Sequence, residues 1–230
     1  MINVIYEDKY ILVVHKPAGL ATQTAKVSEK DLVSEVSNYL RKKNADKSKE
    51  PFVGIINRLD QPVEGLVLLG LDSKTTAELS AQLASGNIQK RYYAAFAGEA
   101  PLPEGVIADF LLKDDKSNTS MIVDAGTPGA KKAVLEFKEI GRKDNVGLAD
   151  IHLITGRHHQ IRVQMAGAGM PLLGDRKYAP DTVQELSAEL GVNKVALCSY
   201  SLSFNHPVSG EEVTYKTIPR GMWFNIFEEE

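Results

Sequence analysis

Apolar and polar residues alternate over short stretches of this chain, a pattern that predicts more strands than helices. The first residues predict a hairpin, with a strand around Val4, a turn at Glu7-Asp8-Lys9 and a second strand from Tyr10 to His15. The turn sequence Lys16-Pro17-Ala18-Gly19 ends that second strand. The chain therefore begins with antiparallel structure.

Helical spacing of apolar residues occurs in three places. The positions from Leu32 to Leu40 fit one helical face, and Ser28 with Asp31 resembles a capping box before it. A second helix is predicted to be capped by Ser73 and closed by Gly86, and a third covers His158 to Ala168. The charged stretch from Arg41 to Pro51 is interpreted as a mobile surface loop.

The remaining apolar runs have the length and alternation of strands. They lie at Phe52–Ile56, Gly65–Leu71, Ile88–Ala97, Lys132–Ile140, Ala149–Ile154, Val195–Phe204 and Glu212–Lys216. The segment from Trp223 to Phe227 fits either a helical turn or a strand. Because strands dominate and helices are interspersed irregularly, the pattern favours a mixed α+β domain over a regular α/β alternation.

Composition narrows the class of protein. Cys198 is the only cysteine, so an intramolecular disulfide is excluded, and the N-terminus does not resemble a signal peptide. No apolar run approaches the roughly 18 residues that span a bilayer. We therefore expect a cytoplasmic protein with no membrane contact. The net charge of −3 argues against general polyanion binding, so any nucleic acid must be held by a local basic surface.

A polar elbow between two apolar strands carries the first candidate chemistry. It runs from Asn57 to Gly65 and contains Arg58 and Asp60. Catalytic groups concentrate on loops held by rigid strands, yet an aspartate before a proline-containing turn is also a common turn former. Asp60 alone therefore fits a nucleophile, a general base or a structural turn.

Two further clusters are candidates. Lys90-Arg91-Tyr92 lies on a strand whose apolar face includes Tyr92, so this ring fits either a core position or a stacking surface for a base. The segment from Thr155 to Arg162 joins a strand to a helix and suits an anionic ligand. Its adjacent His158 and His159 could suggest a metal site. Because no second His or Cys cluster has ligand spacing, no metal is expected.

Taken together, these clusters resemble the RluA-type pseudouridine synthase family over nearly the whole chain. The matching pieces occur in family order and include Lys16-Pro17-Ala18-Gly19, Arg58-Leu59-Asp60, Lys90-Arg91-Tyr92, Thr155-Gly156-Arg157 with His159-Gln160-Ile161-Arg162, Leu173-Gly174-Asp175 with Tyr178, and Leu202-Ser203-Phe204. The resemblance implies one catalytic domain over residues 1–230. It implies a mixed, largely antiparallel sheet with flanking helices and a central active-site cleft, without the N-terminal RNA-binding module that family members often carry.

The resemblance also implies a reaction and a site. The N1–C1′ bond of uridine breaks and C5 joins C1′ in ribosomal or transfer RNA, a redox-neutral isomerisation that requires no cofactor or metal. Asp60 would be the catalytic carboxylate, by attack on the sugar, attack on the base or proton removal. Arg162 would orient this carboxylate, and Tyr92 would pack on the uracil. We expect the enzyme to be a monomer and the target uridine to flip out of its stack to reach Asp60.

Other residues are assigned to substrate binding. Leu197 is an apolar side chain on the serine face of its strand, where it could wall the uracil or pack under a helix. The remaining candidates are Arg58, Lys90, Arg91, Arg157, His159 and Gln160, and a positive rim could add Lys16, Arg176 and Lys177.

The chain departs from the family pattern in four places. Asn57 stands where histidine is usual, Val63-Glu64 where Thr-Ser is usual, Gln164 where histidine is usual, and Ala179 where glycine is common. Asn57 and Val63-Glu64 motivate an alternative, an RNA-binding or RNA-folding protein with little turnover. A third reading is a glycosidase, which requires Asp60 and Glu64 to face one cleft.

Overall fold

The computed structural model of the protein describes residues 2–24, 29–43 and 49–227. Its internal contacts divide the chain into two units. The first unit comprises Met1–Gln89 with Ser199–Ile218, and the second comprises Lys90–Cys198 with Pro219–Glu230. The chain therefore leaves the first unit once and returns to it. The single catalytic domain over residues 1–230 stays a prediction.

Eleven strands and four α-helices are found in the described part of the chain. The strands are β1 (Asn3–Glu7), β2 (Ile11–Lys16), β3 (Gly54–Ile55), β4 (Glu64–Gly70), β5 (Gln89–Ala97), β6 (Glu104–Asp114), β7 (Thr119–Val123), β8 (Lys131–Lys143), β9 (Val146–Leu153), β10 (Leu197–Asn205) and β11 (Glu212–Lys216). The helices are α1 (Leu32–Lys43), α2 (Ser73–Ser85), α3 (Gln160–Gly167) and α4 (Asp181–Glu189), and a 3-10 helix covers Met222–Phe227.

The first unit is built on antiparallel strand pairs. β2 pairs with β1 on one side and β4 on the other, β3 pairs with the end of β4, and β10 pairs with β11. Leu66 and Leu68 of β4 pack with Leu79 of α2 and Phe204 of β10 in a buried cluster. Burial of such side chains contributes about 1.5–3 kcal/mol each, so this core fixes the ends of β2 and β4.

The second unit contains an antiparallel sheet in the order β5-β9-β8-β6-β7. Helix α3 contacts β6 and β7, and a small buried cluster joins Leu111 of β6, Ala133 of β8 and Val163 of α3. Tyr178 packs against this cluster. The sheet thus supports the loop that precedes α3.

The architecture confirms the predicted fold class, a mixed and largely antiparallel sheet with interspersed helices. Helices α1 and α2 occupy their predicted places, and Gly86 ends α2 with a φ of 80°. The predicted strand at Phe52–Ile56 shortens to two residues. The central cleft stays a prediction.

Several local predictions were wrong. Helix α2 is capped by Asp72 and not by Ser73, because the Asp72 carboxylate accepts a hydrogen bond from the Thr75 amide at 2.8 Å. Helix α1 continues through Lys43 into the stretch interpreted as a loop, and residues 44–48 of that stretch lie outside the described ranges. Ser28 of the predicted capping box also lies outside them.

Three elements were missed. They are β6, β7 and α4, in which few side chains are fully buried. Because amphipathic patterning reflects burial, such elements carry a weak signal. The third predicted helix begins at Gln160 rather than His158, since His159 has a φ of 52°. The C-terminal segment is a 3-10 helix.

Candidate active site

Asp60 lies on a loop between β3 and β4 that is fixed on both sides by the turn after β2. The Thr22 hydroxyl donates to the Leu59 carbonyl at 2.9 Å and accepts from the Leu59 amide at 3.2 Å. On the other side, the Gly19 amide donates to the Gln61 carbonyl at 2.7 Å. Asp60 itself is half-buried and Arg58 is exposed. The loop thus holds the aspartate in a defined backbone position.

Lys16 is buried beneath this loop, contrary to its predicted place on an exposed basic rim. Its side chain has 0% exposure, and its Nζ donates to the carbonyls of Pro17, Leu20 and Gln61 at 3.1, 2.6 and 3.3 Å. Burial lowers the pKa of Lys16 to about 8, while the charges of Asp60 and Glu64 act in the opposite direction. Lys16 is therefore a buried charge that stabilises the loop backbone.

Two of the family departures are accommodated inside the first unit. The side-chain Nδ2 of Asn57 donates to the Leu66 carbonyl at 3.1 Å, and its Oδ1 accepts from the Leu68 backbone amide at 2.7 Å. The side chain of Asn57 thus bonds to the backbone of β4. Glu64 is only 3% exposed and its Oε2 lies 3.4 Å from His15 Nε2. This burial places Glu64 unfavourably for the glycosidase reading, which needs the acid in an open cleft.

In the second unit, β5 presents Lys90, Arg91 and Tyr92 in alternation. Tyr92 is buried, whereas Arg91 is exposed and pairs with Asp150, with 2.7 Å between Nη2 and Oδ2. Lys90 is also buried, and burial lowers its pKa. Lys90 and Tyr92 share one face of β5, so the alternation that predicts an inward-facing Tyr92 also predicts the burial of Lys90.

Arg162 is held by a buried carboxylate that the sequence analysis did not identify as its partner. Its Nε and Nη2 each donate to Asp175 at 2.7 Å, and both side chains are at most 4% exposed. Asp175 also accepts from the amides of Lys177 and Tyr178 at 3.0 and 3.3 Å. This bidentate pair fixes the plane of the guanidinium. Asp175 belongs to one of the matching motifs, but only the fold shows what it binds.

The loop before α3 is held by Gln160. Its side-chain oxygen accepts from the Arg157 amide at 3.0 Å and from the Thr155 hydroxyl at 2.8 Å, and its amide donates to the Val134 carbonyl at 3.1 Å. Arg157 is exposed, and its Nε donates to the Lys132 carbonyl at 2.9 Å. Gln160 thus shapes the segment that presents Arg157.

Leu197 begins β10 and is buried. Its neighbours Ser199 and Ser201 on the same face are buried as well, so this face of the strand is covered along most of its length. A wall for the uracil and ordinary packing both fit this environment, and the role of Leu197 stays a prediction.

The predicted residues therefore fall into two groups. Asp60 and Arg58 belong to the first unit. The second unit holds Lys90, Arg91, Tyr92, Arg157, His159, Gln160, Arg162 and Leu197. The meeting of Asp60, Tyr92 and Arg162 stays a prediction. Across residues 2–24, 29–43 and 49–227, no group of three or more His, Cys, Asp or Glu side chains is placed to hold a metal ion.

Comparison with known proteins decides the family. The family model described as RNA pseudouridylate synthase matches residues 10–167. Ribosomal large subunit pseudouridine synthase D from Zymomonas mobilis is 31% identical over 217 residues, which are 93% of this chain and 68% of the relative. The enzyme of the same name from Neisseria meningitidis serogroup A is 34% identical, over 94% of this chain and 57% of the relative.

The chain belongs to the RNA pseudouridylate synthase family.

Solved structures agree on the fold of this RNA pseudouridylate synthase. Human RNA Pseudouridylate Synthase Domain Containing 4 superposes with a TM-score of 0.77 at 20% identity, covering 97% of this chain and 90% of that one. The human Domain Containing 1 protein gives a TM-score of 0.74 at 18% identity, covering 95% and 84%. The predicted family, fold and enzyme class, a pseudouridine synthase and hence an isomerase, are confirmed.

Two further findings bear on the rest of the predictions. The chain spans little more than half the length of the Neisseria relatives that it matches, 57% and 59%. None of the helices within the described ranges is long and apolar enough to cross a membrane. RNA as the substrate class agrees with the family, whereas the monomeric state stays a prediction.

Proposed function

We propose that this chain converts uridine to pseudouridine in large-subunit ribosomal RNA, with Asp60 as the catalytic carboxylate. The substrate class is supported by the names of its relatives from Zymomonas and Neisseria, which are ribosomal large subunit synthases. The residue is supported by its motif and by the loop that presents it, since Thr22 and Gly19 fix the backbone on both sides while the side chain stays half-buried. The cytoplasmic location and the monomeric state belong to the same proposal.

The reaction is an isomerisation that balances without a co-reactant. The N1–C1′ bond of uridine breaks, the uracil turns and C5 bonds to C1′. C5 then loses its proton, and N1 gains one. Asp60 would act at the junction of sugar and base by one of the three routes named above. In each route the carboxylate must be ionised and held near C1′, which a rigid loop favours.

Arg162 would supply the positive charge that keeps Asp60 ionised and oriented. A guanidinium has five N–H donors, and Asp175 receives bonds from two of its nitrogens, so the group is fixed in direction. Tyr92 would stack on the uracil, and Leu197 would help to keep water from the detached base. The substrate would be held by Arg58, Lys90, Arg91, Arg157, His159 and Gln160.

The test is pseudouridine mapping on ribosomal RNA from cells that lack this protein. The native protein should form pseudouridine, and Asp60→Asn should reduce the rate by at least about 10³-fold while RNA binding stays within about threefold. Asp124→Asn serves as the matched control, because Asp124 is exposed and has no role in the proposal. Product from Asp60→Asn at the native rate would refute the assignment. RNA binding without product from the native protein would favour the RNA-binding alternative.

A further inference from the structure

Ser120 of the β6–β7 hairpin contacts the loop before α3. Ser120 of β7 is buried, and its hydroxyl donates to the His158 carbonyl at 2.8 Å and lies 3.0 Å from His158 Nδ1. The next residue, His159, has a φ of 52°. Non-glycine residues are strained in this region, so the backbone requires support from its surroundings. Ser120 gives that support at the preceding carbonyl.

Tyr178 connects the same serine to the ring of His159. The Ser120 amide donates to the Tyr178 hydroxyl at 2.8 Å, and that hydroxyl lies 2.7 Å from His159 Nδ1. The ring of Tyr178 is fixed by its packing against the cluster of Leu111, Ala133 and Val163. The hydroxyl is therefore held between a backbone donor and an imidazole nitrogen.

The direction of the short bond follows from the chemistry of the two groups. A hydroxyl that accepts an N–H bond becomes a better donor, because hydrogen bonds in a chain polarise one another. A phenol is also a stronger donor than a neutral imidazole N–H, and an unprotonated imidazole nitrogen is the stronger acceptor. Tyr178 therefore donates to Nδ1 of His159, which places the ring proton on Nε2.

We propose that Tyr178, oriented by the Ser120 amide, is a positioning residue that fixes His159 in the neutral tautomer protonated on Nε2. His159 is 8% exposed, and under the proposed function its Nε2–H would be a donor of fixed direction for an acceptor oxygen of the RNA. This inference rests on the proposed function for the role of His159, but the tautomer itself does not depend on RNA. The hairpin that supplies Ser120 thereby takes part in substrate positioning.

The tautomer can be read directly from the imidazole nitrogens. Long-range ¹H–¹⁵N spectra of the full chain at neutral pH, without RNA, should show a protonated Nε2 and an unprotonated Nδ1 for His159, assigned by their loss in His159→Gln. Tyr178→Phe should give a mixture of both tautomers. Tyr39→Phe is the matched control, since Tyr39 donates to Glu7 elsewhere in the chain, and it should leave the His159 signals unchanged.

Activity supplies the second readout. Tyr178→Phe should lower kcat/KM by about tenfold, and His159→Gln, whose amide lies near the position of Nε2, should retain more activity than His159→Asn. Ser120→Ala keeps the backbone donor, so it should preserve the tautomer while lowering kcat/KM by about fivefold.

The spectra separate failure of this inference from failure of the proposed function. A proton on Nδ1 of His159 in the native protein, or a doubly protonated ring, overturns the inference even if Tyr178→Phe does not fold. An unchanged His159 tautomer in folded Tyr178→Phe overturns it as well. A correct tautomer in a chain that forms no pseudouridine overturns only the proposed function.

Discussion

At the scale of single residues, Lys16 shows how a buried charge can serve a loop. Lysine is rarely buried without an anion in contact. Here the ammonium donates to three backbone carbonyls, of which that of Leu20 lies in the turn after β2 and that of Gln61 in the aspartate loop itself. The side chain thus replaces water as a donor and ties the turn after β2 to the aspartate loop.

The lowered pKa of Lys16 predicts a pH dependence of stability. The unfolded chain holds this proton up to about pH 10.5, whereas the folded protein releases it near pH 8. Between these values the unfolded state binds more protons, so stability should rise with pH, and below pH 8 the cost of burial is constant. Relative to Lys16→Met, the free energy of unfolding of the native protein should increase from pH 8 to 10.5 by at most about 3 kcal/mol.

Chemical unfolding at several pH values measures this difference. Lys30→Met, a change at an exposed lysine, should run parallel to the native protein over the same range. If the free energy of unfolding of Lys16→Met also ran parallel to that of the native protein across this pH range, the lowered pKa of Lys16 would be contradicted.

At the scale of elements, the close approach of β4 and β10 depends on Gly65. Its φ is 123°, and a Cβ at this position would lie 2.4 Å from both the amide nitrogen and the carbonyl oxygen of Ser199. Gly65→Ala should therefore destabilise the fold by at least about 3 kcal/mol, because backbone overlap adds to the strain of a positive φ.

Gly86 supplies the control for this prediction. It also has a positive φ, 80°, but no atom lies within 4 Å of the place that a Cβ would occupy. Gly86→Ala should cost only about 1–2 kcal/mol, the strain of the left-handed region alone. Thermal unfolding of the two variants compares the costs, and equal destabilisation would show that the approach of Ser199 is unimportant.

The start of α2 gives a second prediction at this scale. Asp72→Ala should lower the Tm by roughly 2–4 °C, because it removes the hydrogen bonds that Thr75 donates to the carboxylate from its amide and its hydroxyl. Ser73→Ala should have little effect, since Ser73 is exposed at the helix start and is not the cap. If calorimetry gave a lower Tm for Ser73→Ala than for Asp72→Ala, Ser73 would be the cap after all.

At the scale of the whole molecule, a net charge of −3 limits how RNA is bound. Under the proposed function, we expect the phosphate contacts to come from a few exposed cations in the motifs, such as Arg58, Arg157, Arg176 and Lys177. Three or four contacts predict that log K falls with log salt at a slope of about −2 to −3, so that K falls by about 16- to 64-fold between 50 and 200 mM salt.

Binding titrations with ribosomal RNA at several salt concentrations measure that slope. Arg157→Ala should make it shallower by about 0.7, whereas Lys30→Ala should not change it. A slope steeper than about −5 would show that a much larger basic surface takes part.

Much of the fold and the family was predictable from the sequence, because the necessary signals are local. Helices α1 and α2 follow from apolar spacing within a dozen residues, and the buried strands follow from runs of seven to nine. The motifs around Asp60, Tyr92 and Arg162 are short and occur in a fixed order. Elements with few buried side chains, such as β6 and β7, lack this signal and were missed.

By itself, the sequence determined which side chains are present in each motif and therefore the family and its chemistry. Only the tertiary structure decided which groups those side chains meet. Arg162 binds Asp175 thirteen positions later, Ser120 binds His158 across 38 positions, and His15 meets Thr217 across 202. Hydrogen bonds and ion pairs act over about 3 Å, so contacts between distant positions exist only after packing has brought the elements together.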